Sequence, residues 1–154
     1  MKKQEIFITK NANQTKKTGE LLAKEIILSS PGSKSVVVTL NGYLGGGKTT
    51  FLQGFAKGLG IKEKILSPTF VILKRFKLPK NKKYNNFYHI DCYRIRGPKE
   101  MFLLGFKDIL KDPKNIIAIE WAERIKSILP KKSITLQFDV LEKDKRKITL
   151  KYNV

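Results

Sequence analysis

The octapeptide Gly42-Tyr43-Leu44-Gly45-Gly46-Gly47-Lys48-Thr49 constrains this chain more than any other stretch, because it matches the phosphate-binding P-loop pattern of Gly, four residues, Gly, Lys and Ser/Thr. Its glycines open backbone conformations closed to other residues, so successive N–H groups can converge on phosphate oxygens. Lys48 has the length to reach β- and γ-phosphates, the Thr49 hydroxyl suits Mg²⁺, and a following helix adds the positive end of its dipole. The flanks agree with the match. Ser35 to Leu40 is a β-branched run ending at Asn41, and Thr50 to Leu59 reads as a helix stopped by Gly60. Gly45, Gly46, Gly47, Lys48, Thr49 and Thr50 are therefore the expected phosphate contacts.

A chain of 154 residues is read as one domain, 1–154, too short to carry a separate substrate domain beside a P-loop module. Any elaborate function is then expected to be shared with a partner. No apolar run approaches the roughly 20 residues that span a bilayer, and the first residues lack the apolar core of a signal peptide, so a cytoplasmic protein without membrane contact is expected. One cysteine, Cys92, offers no internal disulfide. The net charge of +19 suits a polyanion, but it comes from 27 Lys against 5 Arg, a balance that also fits compositional drift.

Along the chain, Ile6 to Thr9 reads as a short strand, and Thr15 to Leu28 as a helix with Leu21, Leu22, Ile26 and Ile27 at helical spacing. After the P-loop unit comes Ser67-Pro68-Thr69, leading into the apolar Phe70 to Leu73. The polar stretch from Leu78 to Asn86 reads as the turn of a hairpin whose second strand is Phe87 to Asp91. Two short helices are expected over Lys99 to Leu104 and Phe106 to Leu110. Asn115 to Glu120 is an apolar run ending in an acid, the pattern of a buried parallel strand whose carboxyl end faces a site. Ile134 to Phe138 and Arg146 to Tyr152 alternate as a terminal hairpin. The expected fold is a three-layer α/β P-loop domain with a mixed central sheet and a C-terminal hairpin.

A P-loop enzyme needs a carboxylate at a neighbouring strand end to hold Mg²⁺ directly or through water. Asp91 and Glu120 both qualify, and together with Thr49 they form the expected metal set. One acid would serve the metal and the other would orient or deprotonate water, without the residues assigning the parts. Thr69 lies where a switch threonine senses the γ-phosphate in some P-loop enzymes, and a plain Pro-containing turn accounts for the same residues. His89 is read as a half-buried strand residue ahead of a catalytic base. Cys92 lacks a partner at metal-ligand spacing, and Trp121 either stacks on a ring or fills the core.

Four segments together resemble the bacterial tRNA threonylcarbamoyladenosine biosynthesis ATPase family called TsaE: Asn41 to Phe51, Ser67 to Phe70, Tyr88 to Arg94, and Ile119 to Arg124. Their order and spacing run across nearly the whole chain. The resemblance implies a small ATP- and Mg²⁺-dependent ATPase with Lys48, Asp91 and Glu120 as its catalytic residues. It would work with a larger assembly, of TsaD and TsaB type, that transfers a threonylcarbamoyl group to N6 of adenosine 37 in tRNAs reading codons that begin with A. Tyr88 to Arg94 and Ile119 to Arg124 would bring Asp91 and Glu120 to metal and hydrolysis, and Thr69 would sit in a switch-like segment. It also nominates Thr15, in the first helix, and Arg146, in the final hairpin, as nucleotide contacts. The family pattern has an acid directly after the first P-loop glycine, where this chain has Tyr43.

Two other functions compete. A small-molecule or protein kinase needs an acceptor pocket and an arginine-bearing lid, whereas residues 79 to 86 contain lysines and no arginine. A nucleotide-gated binding module would use ATP occupancy to change partner affinity. With few arginines to stabilise γ-phosphoryl charge and no evident arginine finger, slow turnover without a partner is expected.

Overall fold

The computed structural model describes residues 3–43, 45–66, 72–79 and 83–153. Seven strands form one sheet in the order β1-β7-β6-β2-β5-β4-β3. These are β1 (Lys3–Thr9), β2 (Val36–Asn41), β3 (Leu73–Lys77), β4 (Asn86–Asp91), β5 (Asn115–Glu120), β6 (Ile134–Val140) and β7 (Arg146–Tyr152). β5 runs parallel to β2 and β4, and β6 runs parallel to β2. The β1–β7, β6–β7 and β3–β4 pairs are antiparallel, so the sheet is mixed and ends in the expected hairpin.

Helices α1 (Ala12–Leu28) and α2 (Lys48–Gly58) cover one face; α3 (Pro98–Leu103), α4 (Phe106–Lys111) and a 3-10 segment, Ala122–Ile128, cover the other. α1 begins three residues before the expected Thr15, because Asn11 caps it: its side-chain oxygen accepts from the Gln14 N–H at 2.9 Å. Gln14 in turn accepts from the Lys10 N–H, a reciprocal arrangement close to a capping box. α1 and α2 meet through glycine. A Cβ at Gly54 would run into the Lys16 carbonyl, and one at Gly19 into the Phe51 carbonyl, so neither helix has room for a side chain there.

The larger core cluster lies under α1 and α2 and joins Leu22, Ile26, Phe51 and Phe55 to Leu40, Phe87, Ala118 and Phe138. Aromatic contacts tie it together, including the Phe51 and Phe138 rings, set edge-to-face at 5.4 Å. The second cluster packs Met101, Phe106 and Ile125 on Val37, Ile90, Ile117 and Ile119. It contains no described residue of β1, β6 or β7, so the third layer covers only part of the sheet, and Ile6 and Ile8 of β1 remain exposed. β3 lies later than the apolar Phe70 to Leu73 stretch suggested. Among its residues only Phe76 is buried, and Lys74, Arg75 and Lys77 line an exposed edge. Phe70 and Val71 lie outside the described residues.

Candidate functional site

The P-loop leaves the carboxyl end of β2 and enters α2 at Lys48. Gly45 and Gly47 have φ of +80° and +97°, values that β-carbon sterics disfavour, so this loop path calls for glycine. Gly47 stands as the N-cap of α2 and supplies no side-chain cap, which leaves the first-turn N–H groups for an anion. Lys48 is buried, donates from Nζ to the Gly42 carbonyl at 2.7 Å, and lies 4.6 Å from the centroid of the Trp121 ring. Thr49 and Thr50 follow in the first helical turn, half-buried.

Asp91 and Glu120 end neighbouring parallel strands and stand opposite each other in the β4–β5 register. Glu120 is buried and Asp91 half-buried. Burial raises the Asp91 carboxyl above its ordinary range; the Tyr93 N–H, donating to its Oδ1 at 2.9 Å, pulls it back, while the Glu120 charge adds to the rise. The Lys48 ammonium also lowers it, which puts lysine and acid within electrostatic reach.

His89 departs from the expectation of a half-buried strand residue. It is 2 % exposed, and its Nε2 lies 2.8 Å from Glu120 Oε2. The signal was split across two strands. Alternation gives the face of His89, but its partner emerges only from the β4–β5 register, in which His89 pairs with Ala118 one pleat before Glu120.

Of the two roles that the sequence left open for Trp121, the structure shows the packing one, with the side chain partly buried. Trp121 packs against the second core cluster and sits under Lys48, with the Tyr93 ring tilted against it at 5.2 Å. Its φ of +57° makes it the one non-glycine residue with positive φ among those described. Such a backbone costs on the order of 1–3 kcal/mol and is held only where surrounding contacts enforce it.

Thr15 and Arg146 both reach the loop at Gly47. A Cβ on Gly47 would lie 3.6 Å from Thr15 Cγ2 and 3.8 Å from Arg146 Cγ. Thr15 is buried, its hydroxyl 2.8 Å from that of Thr9. Arg146 donates to the Gly45 carbonyl at 3.0 Å and to the carbonyls of Glu142, Lys143 and Lys145, joining the terminal hairpin to the P-loop. Among the described residues its buried Nε has no hydrogen-bond partner. An arginine of this chain thus stands beside the loop, where the sequence offered no evident arginine finger. Thr69 lies outside the described residues. Cys92 is buried, and burial pushes its thiol up to about 12, which disfavours the nucleophilic thiolate.

The model of the threonylcarbamoyl adenosine biosynthesis protein TsaE family matches residues 9–148. This chain belongs to the TsaE family. The TsaE protein of Rickettsia felis is 38% identical over 144 residues, covering 92% of this chain and 76% of that one. That of Treponema pallidum is 34% identical over 143 residues, covering 93% and 97%. The crystal structure of Bacillus subtilis YdiB superposes with a TM-score of 0.78 at 32% identity, covering 100% of this chain and 88% of that one. The protein is therefore one of tRNA threonylcarbamoyladenosine modification, with the P-loop NTPase fold, and its family suggests nucleotide binding.

The TsaE site fits both a nucleoside triphosphate and a hard cation. The glycine loop is open where Gly45 lacks a Cβ, and Thr49, Asp91 and Glu120 offer the oxygen donors that Mg²⁺ prefers. Among the described residues no group of three or more His, Cys, Asp or Glu forms a protein-only cage. Mg²⁺ needs none, since it keeps waters and phosphate oxygens beside one or two carboxylates.

Proposed function

We propose that this TsaE protein is a Mg²⁺-dependent ATP hydrolase, slow alone and stimulated by a threonylcarbamoyl-transferase assembly of TsaD and TsaB type. One observation carries the reading: the P-loop lysine and two strand-end carboxylates, Asp91 and Glu120, share one electrostatic neighbourhood. Gly45 to Thr50 would bind the triphosphate, with Lys48 moving from the Gly42 carbonyl to the β/γ-phosphates. Thr15 and Arg146 would contact the nucleotide beside Gly47, Arg146 adding positive charge. Thr49 and Asp91 would hold Mg²⁺, whose bound charge offsets that developing on the γ-phosphoryl oxygens. Glu120, as the more buried acid, would orient the attacking water. Thr69 would take the switch position.

In this reading residues 1–154 form one ATPase unit in the cytoplasm, hydrolysis resets the transferase between turnovers, and tRNAs reading codons that begin with A are modified. Any tRNA contact would come through the complex. Among the described residues no helix is long and apolar enough to cross a membrane.

A nucleotide-gated binding module is favoured by one feature: Tyr43, at the position of the family acid, is 86% exposed and cannot supply that charge. Replacing Glu120 by Gln separates the two. The hydrolase reading expects loss of tRNA threonylcarbamoylation with ATP binding retained; sustained modification by the variant would support the module instead.

A further inference from the structure

His89 is the chain's sole histidine. Alternation along β4 puts its side chain on the same face as Phe87 and Asp91, toward α1 and α2. Its ring nitrogen meets Glu120 Oε2 at 2.8 Å, with the two side chains only 2% and 5% exposed. A buried carboxylate stripped of water needs a hydrogen-bond partner, and a single donor on one oxygen also fixes which oxygen remains for other contacts. Glu120 is the last residue of β5, followed at once by the strained backbone of Trp121. Its carboxylate is therefore anchored from the neighbouring strand, through His89, next to the register position of Asp91.

We infer that His89 is a positioning residue for hydrolysis: its Nε2–H donates to Glu120 Oε2 and fixes the rotamer in which Oε1 holds the attacking water. The inference rests on Glu120 acting on water as proposed above. It assigns the Nε2–H tautomer to His89 and makes the ring a fixed support that never touches the nucleotide. Partners that orient a reacting or ligating group in this way are worth on the order of 10–100-fold in activity.

The test uses the full chain with the transferase assembly and compares His89→Leu, which removes the donor, with His89→Gln, whose amide can donate. His89→Leu is expected to lower kcat for ATP on the order of 10–100-fold while the KM for ATP and the calorimetric Kd for ADP stay within about 2-fold. His89→Gln should recover most of the loss. Added to Glu120→Gln, His89→Leu should cost nothing further, because the two residues act as one unit. A second readout needs no turnover. In nitrogen-15 NMR the sole imidazole should give a slowly exchanging, downfield Nε2–H signal that shifts in Glu120→Gln.

Full kcat in His89→Leu beside a dead Glu120→Gln would overturn the inference and leave the hydrolase reading standing. A fully active Glu120→Gln would instead remove the role of Glu120 and the inference with it. Should His89→Leu not fold, the NMR signal decides: an imidazole resonance indifferent to Glu120→Gln contradicts the inference.

Discussion

Lys48 Nζ lies 2.7 Å from the Gly42 carbonyl oxygen and 4.6 Å from the centroid of the Trp121 ring, so the P-loop cation rests between backbone and indole. A lysine that turns to phosphate oxygens must leave at least one of these contacts. Trp121 is the only tryptophan in the chain, so its emission should change when ATP or ADP binds. Lys48→Ala should abolish the nucleotide-dependent change. An unaltered response in that variant would mean that the indole senses something other than the lysine.

Asp91 carries a pH dependence whose sign follows from its raised carboxyl. A group whose folded pKa exceeds its unfolded value binds protons more tightly when folded. Its contribution is most favourable at or below the unfolded value of 3.8 and is lost as pH rises through the folded pKa. Above that window the half-buried charge is a net cost. Asp91→Asn keeps an oxygen for the Tyr93 N–H and removes the charge, so it should raise the melting temperature at pH 7, with the gain shrinking as pH falls toward 4. The same variant should lose ATP turnover. Scanning calorimetry from pH 4 to 7 checks the first point, and a lower melting temperature at pH 7 would contradict it.

Gly54 sets the distance between α1 and α2, and with it the approach of Thr15 to Gly47. Gly54→Ala would drive a methyl group into the Lys16 carbonyl, which only a shift of the helices can relieve. Overpacking of this kind costs about 1–3 kcal/mol or more. Denaturant titration should show a lower midpoint, and any folded protein should bind nucleotide more weakly because Thr15 has moved.

Arg146 holds carbonyls of the terminal hairpin and of Gly45 with one guanidinium. Lysine has no planar fork and cannot reproduce the set. Arg146→Lys and Arg146→Ala should both weaken ATP binding by about tenfold, the scale of one hydrogen bond to a charged group. Calorimetric titration measures it. Unchanged affinity in both variants would confine Arg146 to capping the hairpin turn.

The strand, glycine loop and helix around Lys48 were legible because each rests on local rules: a β-branched run, glycines where φ turns positive, and a helix ended by Gly60. Glu120 was legible too, since an apolar run closed by an acid signals a buried parallel strand, and β5 is buried throughout. β3 was displaced because an edge strand with one buried residue, Phe76, has almost no hydrophobic pattern. The 3-10 segment after Trp121 was not read, as nothing in its composition announces a left-handed tryptophan. The His89–Glu120 pair joins residues 31 apart, and the contact follows from strand register rather than from either residue's neighbours.

The most direct test of the account is ATP hydrolysis by the purified chain with Mg²⁺, measured alone and with the TsaD- and TsaB-type proteins of the same source, using Lys48→Ala as the blank. A partner-stimulated hydrolase turns over slowly alone and faster with the assembly, and the variant does neither. ATP binding without stimulated turnover would contradict the hydrolase reading and leave a nucleotide-gated module.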